Sequence, residues 1–252
     1  MPRAPLPILV CTHHKTGTVW MLRIFQALQS RPELGYNLIQ LRNVGAAAPE
    51  EGCTPVYLDP YSRYKESVVL ADRFVGMHVI RDPRDVIISG AYYHQKSSEE
   101  WLHVPREDCG GLTYHNAVNG LEPGELFIFE MDRKGGDTVR DMISWNYSDC
   151  RFRNVKYEDL LADSDLAGFR ENLRFLGFDD RANAHLLRRA RSVSLHTNEQ
   201  NARTEHVRSG AARQWKTEFN RRDGERFLEL FGSTLIELEY EEDDAWIEAL
   251  RA

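Results

Sequence analysis

Ile8-Leu9-Val10-Cys11, running through Thr12-His13-His14-Lys15-Thr16-Gly17 into Thr18-Val19-Trp20, is the stretch on which the reading of the fold turns. The apolar run 8–11 fits a buried strand. From residue 18 to about 29, Trp20, Ile24, Ala27 and Leu28 recur at helical spacing, and Pro32 stops the pattern. Strand, glycine-bearing loop and helix make the opening unit of a phosphate-binding α/β fold. The start of such a helix presents unpaired N–H groups and a partial positive charge to an anion. Gly17 lets the backbone approach closely, Lys15 supplies full charge, and Thr16 and Thr18 carry hydroxyl donors. The same residues also fit a capped helix with an exposed lysine. They do not form a G-x-x-x-x-G-K-[ST] loop, because Lys15 precedes the only glycine of the stretch.

Outward from this unit, residues 56–59, 74–80 and 152–156 read as further short strands. The run 74–80 is the strongest and ends at Arg81-Asp82-Pro83. Proline suits the first position of a helix that extends through residue 95. Helical patterns cover residues 138–147, 166–176, 184–190 and 226–238. Residues 97–136 hold several glycines and two prolines, and suit short helices and substrate-contacting loops. Strands alternating with helices predict an α/β fold with a central parallel sheet flanked by helices. No repeat or linker interrupts the chain, so residues 1–252 are expected to form one domain.

Composition excludes several classes. A chain of 252 residues with 42% hydrophobic content can bury a large core. Its net charge of −7 argues against a nucleic-acid partner held by bulk electrostatics. Arginines nevertheless cluster at 81–84, 188–191 and 203–222, so a local anion site is compatible with an acidic protein. Cys11, Cys53, Cys109 and Cys150 show no metal-binding or disulfide spacing, which points to reduced thiols in the cytoplasm. The first twelve residues are too short and proline-rich for a signal peptide or a membrane span.

Three further motifs join the first loop. Arg81, at the carboxyl end of a strand, and Ser89, two helical turns on, suit one phosphate, with Arg81 as a bidentate donor. The segment also fits an arginine bonded to Asp82 or Asp85 at a helix start. Lys156-Tyr157-Glu158-Asp159-Leu160 follows another strand, and Arg208-Ser209-Gly210 precedes Trp215-Lys216 and Phe219. In this order the four motifs resemble the sulfotransferases that use 3′-phosphoadenosine 5′-phosphosulfate (PAPS), whose P-loop-like fold opens on a phosphosulfate loop. Lys15, Thr16, Gly17, Thr18 and Trp20 match that loop. Val19 replaces a phosphate-binding threonine and keeps only the backbone N–H, and His14 replaces a proline. The resemblance implies that Lys15 contacts the bridging and sulfuryl oxygens and that Trp20 and Tyr157 lie near the adenine. It further implies that Arg81, Ser89, Arg208, Ser209 and Gly210 hold the 3′-phosphate side. Ser209 stands where the family has a lysine, which removes one positive charge.

The implied reaction is in-line transfer of a sulfuryl group from PAPS to a hydroxyl or amine, releasing 3′-phosphoadenosine 5′-phosphate (PAP). Positioning and electrostatic stabilisation supply most of the rate, with no metal required in principle. Laid against the family pattern, Asp59 falls where many members carry a histidine base, and Lys15 and Asp59 are therefore the expected catalytic residues. Asp59 equally suits a cap on the turn at Pro60-Tyr61. His115, His103 and Glu66 stand in reserve, and His78, inside a strand, reads as structural. The acceptor is expected to be a small hydroxylated molecule or a glycan. Tyr92, Tyr93, Trp101, Tyr114, Trp145 and Tyr147 suit either a pocket wall or the core. The family's dimer-forming segment is not visible, which leaves the oligomeric state open. Two other classes share parts of this pattern: a non-catalytic nucleotide-binding module on the same fold, and a P-loop kinase, which the missing Gly-Lys-Ser/Thr disfavours.

Overall fold

The computed structural model describes residues 6–41, 49–64, 73–193 and 210–251. These gather into two compact units, one from residues 1–81 with 145–201 and the other from 82–144 with 202–252.

The first unit is built on five parallel strands, β1 (Ile8–Thr12), β2 (Tyr36–Gln40), β3 (Thr54–Asp59), β4 (Val75–Ile80) and β5 (Phe152–Lys156), in the order β2-β3-β1-β4-β5. Alternation along β1 divides the core. Ile8 and Val10 face the helices Thr18–Phe25, Ala167–Phe175 and Asp180–Ser192, together with Val56, Leu58, Met77 and Val79. Leu9 and Cys11 face the opposite way, into a cluster with Tyr57, Tyr64, Phe74, Phe152 and Trp145. Because β1 is buried on both faces, its sequence is apolar without a break from Ile8 to Cys11, the pattern expected of a central parallel strand.

Two features of this sheet place the site. The chain leaves β1 toward β2 on one side and leaves β4 toward β5 on the other, so the strand order reverses between β1 and β4. Ligands of open α/β sheets bind outside the carboxyl ends of strands at such a point. Parallel register also pairs Cys11 with Asp59 and His78, and His78 with Asn154, setting these four side chains in one row across a single face near that end.

The second unit is helical. Its Pro83–His94 helix carries Pro83 in the first turn, and the Asp82 carboxylate caps it by accepting from the Arg84 N–H at 3.0 Å. The helix expected over 138–147 instead spans Lys134–Ile143. Gly135 and Gly136 look like breakers in sequence, but they permit close packing here. A Cβ on Gly135 would lie 2.7 Å from the Ile87 side chain, and one on Gly136 would collide with the Met131 carbonyl. The last long helix spans Arg221–Phe231 rather than 226–238. An Asn220–Asp223 capping box starts it and Gly232, at φ 51°, ends it, with a short Thr234–Glu237 helix following.

β2 was not anticipated. It is an edge strand with Asn37 and Gln40 among its five residues, and its apolar content is too low for the period to show.

Candidate functional site

The loop between β1 and the Thr18–Phe25 helix is organised by one peptide. The His13 carbonyl accepts from the Thr16 N–H at 3.1 Å, the Thr16 hydroxyl at 3.0 Å and the Thr18 hydroxyl at 3.0 Å. The His13 N–H in turn donates to Thr16 Oγ1 at 2.8 Å. Folding the loop so tightly puts two residues into left-handed backbone, Lys15 at φ 66° and Gly17 at φ 103°. Gly17 is the N-cap of the helix and no side chain caps its first turn, so the N–H groups there stay open to an anion. The two hydroxyls expected to face a phosphate are both turned inward, Thr16 onto His13 and Thr18 onto His13 and Thr12. The loop therefore offers backbone N–H groups and the half-exposed Lys15, Val19 and Trp20.

Arg81, one residue beyond β4, reaches this loop. Its Nη1 donates to the Lys15 carbonyl at 3.2 Å, and its guanidinium carbon lies 4.7 Å from the centre of the Tyr157 ring. Tyr157 sits at the carboxyl end of β5 with Trp20 edge-on at 5.9 Å, and a Cβ on Gly17 would lie 3.2 Å from the Tyr157 ring. Lys15, Gly17, Trp20, Arg81 and Tyr157, drawn from three separate sequence motifs, thus meet at the β1–β4 reversal point.

Asp59 ends β3 beside this loop. Its Oδ1 accepts from the Tyr61 N–H at 2.9 Å, so it does cap the turn, while Oδ2 is buried without a hydrogen bond. Its main-chain carbonyl accepts from Thr12 Oγ1 at 3.4 Å. Burial pushes the carboxyl pKa up to about 6, against the pull of the backbone N–H groups of residues 61–64. A carboxylate so poised is ionised at neutral pH and still basic enough to take a proton.

His13 and His78, which the sequence reading left outside the site, are joined at its base. Their Nε2 atoms lie 2.8 Å apart, and His78 Nδ1 lies 3.0 Å from Asn154 Oδ1. The His78 ring stacks on Trp145 at 3.9 Å between centroids. Both imidazoles are held neutral: burial lowers the His13 pKa well below 6.5 and that of His78 to about 4.

In the second unit, Ser89 is one of two positions on the Pro83–His94 helix that are not buried, the other being Tyr92. Here Arg84 pairs with Asp82. Its Nε and Nη2 donate to the two carboxylate oxygens at 3.0 and 2.8 Å, and Nη2 also donates to Glu241 at 2.6 Å. The guanidinium lies 3.6 Å from the Trp215 ring and 4.7 Å from Trp246, and Asp85 accepts from the Trp215 N–H at 3.1 Å. The strand-end motif therefore also anchors the segment that follows Gly210, which is itself left-handed at φ 62°. His103 and His115 lie side by side, with ring centroids 4.9 Å apart. Arg208, Ser209 and Glu66 lie outside the described residues. Among the described residues, no group of three or more His, Cys, Asp or Glu side chains is placed to hold a metal ion. Nor is any described helix long and apolar enough to cross a membrane.

A family model described as the sulfotransferase domain matches residues 67–239, well over half of the chain. That span includes the Arg81, Ser89, Tyr157 and Arg208 motifs and begins after the Lys15 loop and Asp59. Among solved structures, the fold is similar to that of mouse sulfotransferase SULT7A1 complexed with PAP, at 17% identity and a TM-score of 0.62, covering 98% of this chain and 88% of that one. It is also similar to retinol dehydratase in a complex with retinol and PAP, at 14% identity and a TM-score of 0.56, covering 93% and 82%. A second retinol dehydratase structure, with androsterone and inactive cofactor PAP, matches at a TM-score of 0.50 and 14% identity over the same shares. No curated protein matches the sequence.

Proposed function

Because the chain belongs to the sulfotransferase family, and PAPS is that family's sulfuryl donor, we propose that it transfers the sulfuryl group to the hydroxyl of a small molecule. The observation that carries this reading is the uncapped helix start at the β1–β4 reversal point, with Lys15 held in the loop and Arg81 bonded to it. An arrangement of open N–H groups, a lysine and an arginine suits a donor with phosphates and one sulfuryl group. As the acceptor oxygen attacks sulfur, the sulfur–oxygen bond to the 5′-phosphate breaks. Lys15 and the first-turn N–H groups of Thr18, Val19 and Trp20 neutralise the charge that develops on the bridging oxygen. Asp59 takes the acceptor proton, and PAP leaves. Thr16 shapes the loop through its bonds to His13. Trp20 and Tyr157 take the adenine and Arg81 the 3′-phosphate, while Ser89, Arg208, Ser209 and Gly210 are assigned to the donor by the family resemblance alone.

A small acceptor is supported by the two retinol dehydratase structures, which hold retinol and androsterone, both compact and hydroxylated. Four free cysteines, two of them buried, suit work in a reducing compartment such as the cytoplasm. Residues 1–252 serve as one sulfotransferase domain in this reading.

Incubation with PAPS and a panel of hydroxylated small molecules, steroids and retinoids included, tests the proposal. It predicts an acceptor that gains one sulfuryl group by mass spectrometry while an equal amount of PAP is released. PAP release to water alone across the whole panel would contradict it.

A further inference from the structure

Asn154, His78 and His13 form a chain of side-chain hydrogen bonds with a fixed direction. Asn154 Nδ2 lies 3.4 Å from the Tyr147 carbonyl, which can only accept, so the amide nitrogen belongs on that side and Oδ1 faces His78. Oδ1 can only accept, so His78 Nδ1 carries the proton. His78 being neutral, its Nε2 is then the acceptor, and the proton between the two rings sits on His13 Nε2. His78 is held flat by Trp145, at 3.9 Å and an interplanar angle of 14°, so its lone pair points in one direction. The donating end of this chain is His13, the residue whose carbonyl gathers three donors and so sets the shape of the loop.

We propose that His78, backed by Asn154, is a positioning residue for the donor loop that acts through His13. The left-handed Lys15 backbone is conformationally costly for a residue with a side chain, and persists only where its surroundings over-determine it. His13 is where that determination is applied. Its main chain is bonded to Thr16 and Thr18 on one side, and its ring is fixed to the sheet on the other. The row of paired positions across β3, β1, β4 and β5 thereby transmits the rigidity of the sheet to a loop that must hold an anion. This rests on the reading of residues 13–18 as the donor-binding loop.

Calorimetric titration with PAP separates the possibilities. His78→Phe keeps a ring on Trp145 but offers His13 no acceptor. Its Kd for PAP should rise about tenfold, as expected for loss of one buried hydrogen bond. The KM for PAPS should rise with it while the KM for the acceptor stays put. His78→Gln places an amide oxygen near the former Nε2 and should recover most of the affinity. Equal binding by wild type and the Phe variant, or Gln binding as weakly as Phe, would overturn the proposal. Failure of the wild type itself to bind PAP would instead overturn the donor-loop reading, and this inference with it. If the Phe variant does not fold, Asn154→Leu on the edge strand carries the same test, with a Kd increase of about threefold supporting the relay and an unchanged Kd refuting it.

Discussion

In the proposed reaction Lys15 and Asp59 divide the chemistry between them, and their surroundings make separate demands. Lys15→Ala removes the one full charge of the loop, so turnover should fall about 100-fold or more. Its unfolding midpoint should barely move, since the side chain is half exposed. Unchanged turnover would remove Lys15 from the site. Asp59→Asn keeps the oxygen that caps Tyr61 but cannot take a proton, so it should fold and bind PAP yet be nearly inactive. Wild-type activity should rise with pH through about 6, where the buried carboxyl ionises. The same shift has a consequence for stability. The folded-state pKa lies above the unfolded value of 3.8, so the Asp59 contribution is full below that pH and lost as pH rises through about 6. At pH 8 the Asn variant should therefore be the more stable by up to about 3 kcal/mol, an advantage that vanishes near pH 4. Thermal midpoints of the two proteins across that range decide the point. A constant difference would mean that Asp59 is not buried as described.

At the scale of elements, strand ends carry the candidate site and their neighbours hold it in place. Gly17→Ala should cost about 1–2 kcal/mol for its left-handed backbone. It also brings a methyl group to 3.2 Å from Tyr157, so both the urea midpoint and PAP affinity should drop. Arg84→Met removes the guanidinium that binds both oxygens of buried Asp82 and stacks on Trp215, and a loss of about 3–5 kcal/mol is expected in equilibrium unfolding. A loss under 1 kcal/mol would show that Arg84 does not anchor the Trp215 segment. β1, β3 and β4 were legible as short apolar runs bounded by a turn or a proline, and β5, with Arg153, Asn154 and Lys156 among its five residues, through Phe152 and Val155 alone. β2 was hidden by its polar edge character, and the Lys134–Ile143 helix was misplaced because glycines needed for close packing look like breakers. The family resemblance assigned Lys15 and Arg81 to one donor, whereas the bond from Arg81 to the Lys15 carbonyl emerges only from the structure. The His13–His78 pair spans 65 residues and emerges only once the register of β1 on β4 is known.

For the whole molecule, the central claim is that four motifs spread from Lys15 to Trp215 serve one donor, PAPS. The C-terminal three fall within the family match, and the first is brought to Arg81 and Tyr157 by the sheet. A P-loop kinase would share the strand–loop–helix start but would need ATP and magnesium. The most direct measurement is a paired calorimetric titration of the wild-type protein, with PAP in the absence of metal and with ATP plus magnesium. Saturable binding of PAP alone, weakened in Lys15→Ala, is the predicted result. Binding of ATP and magnesium with no response to PAP would contradict the account.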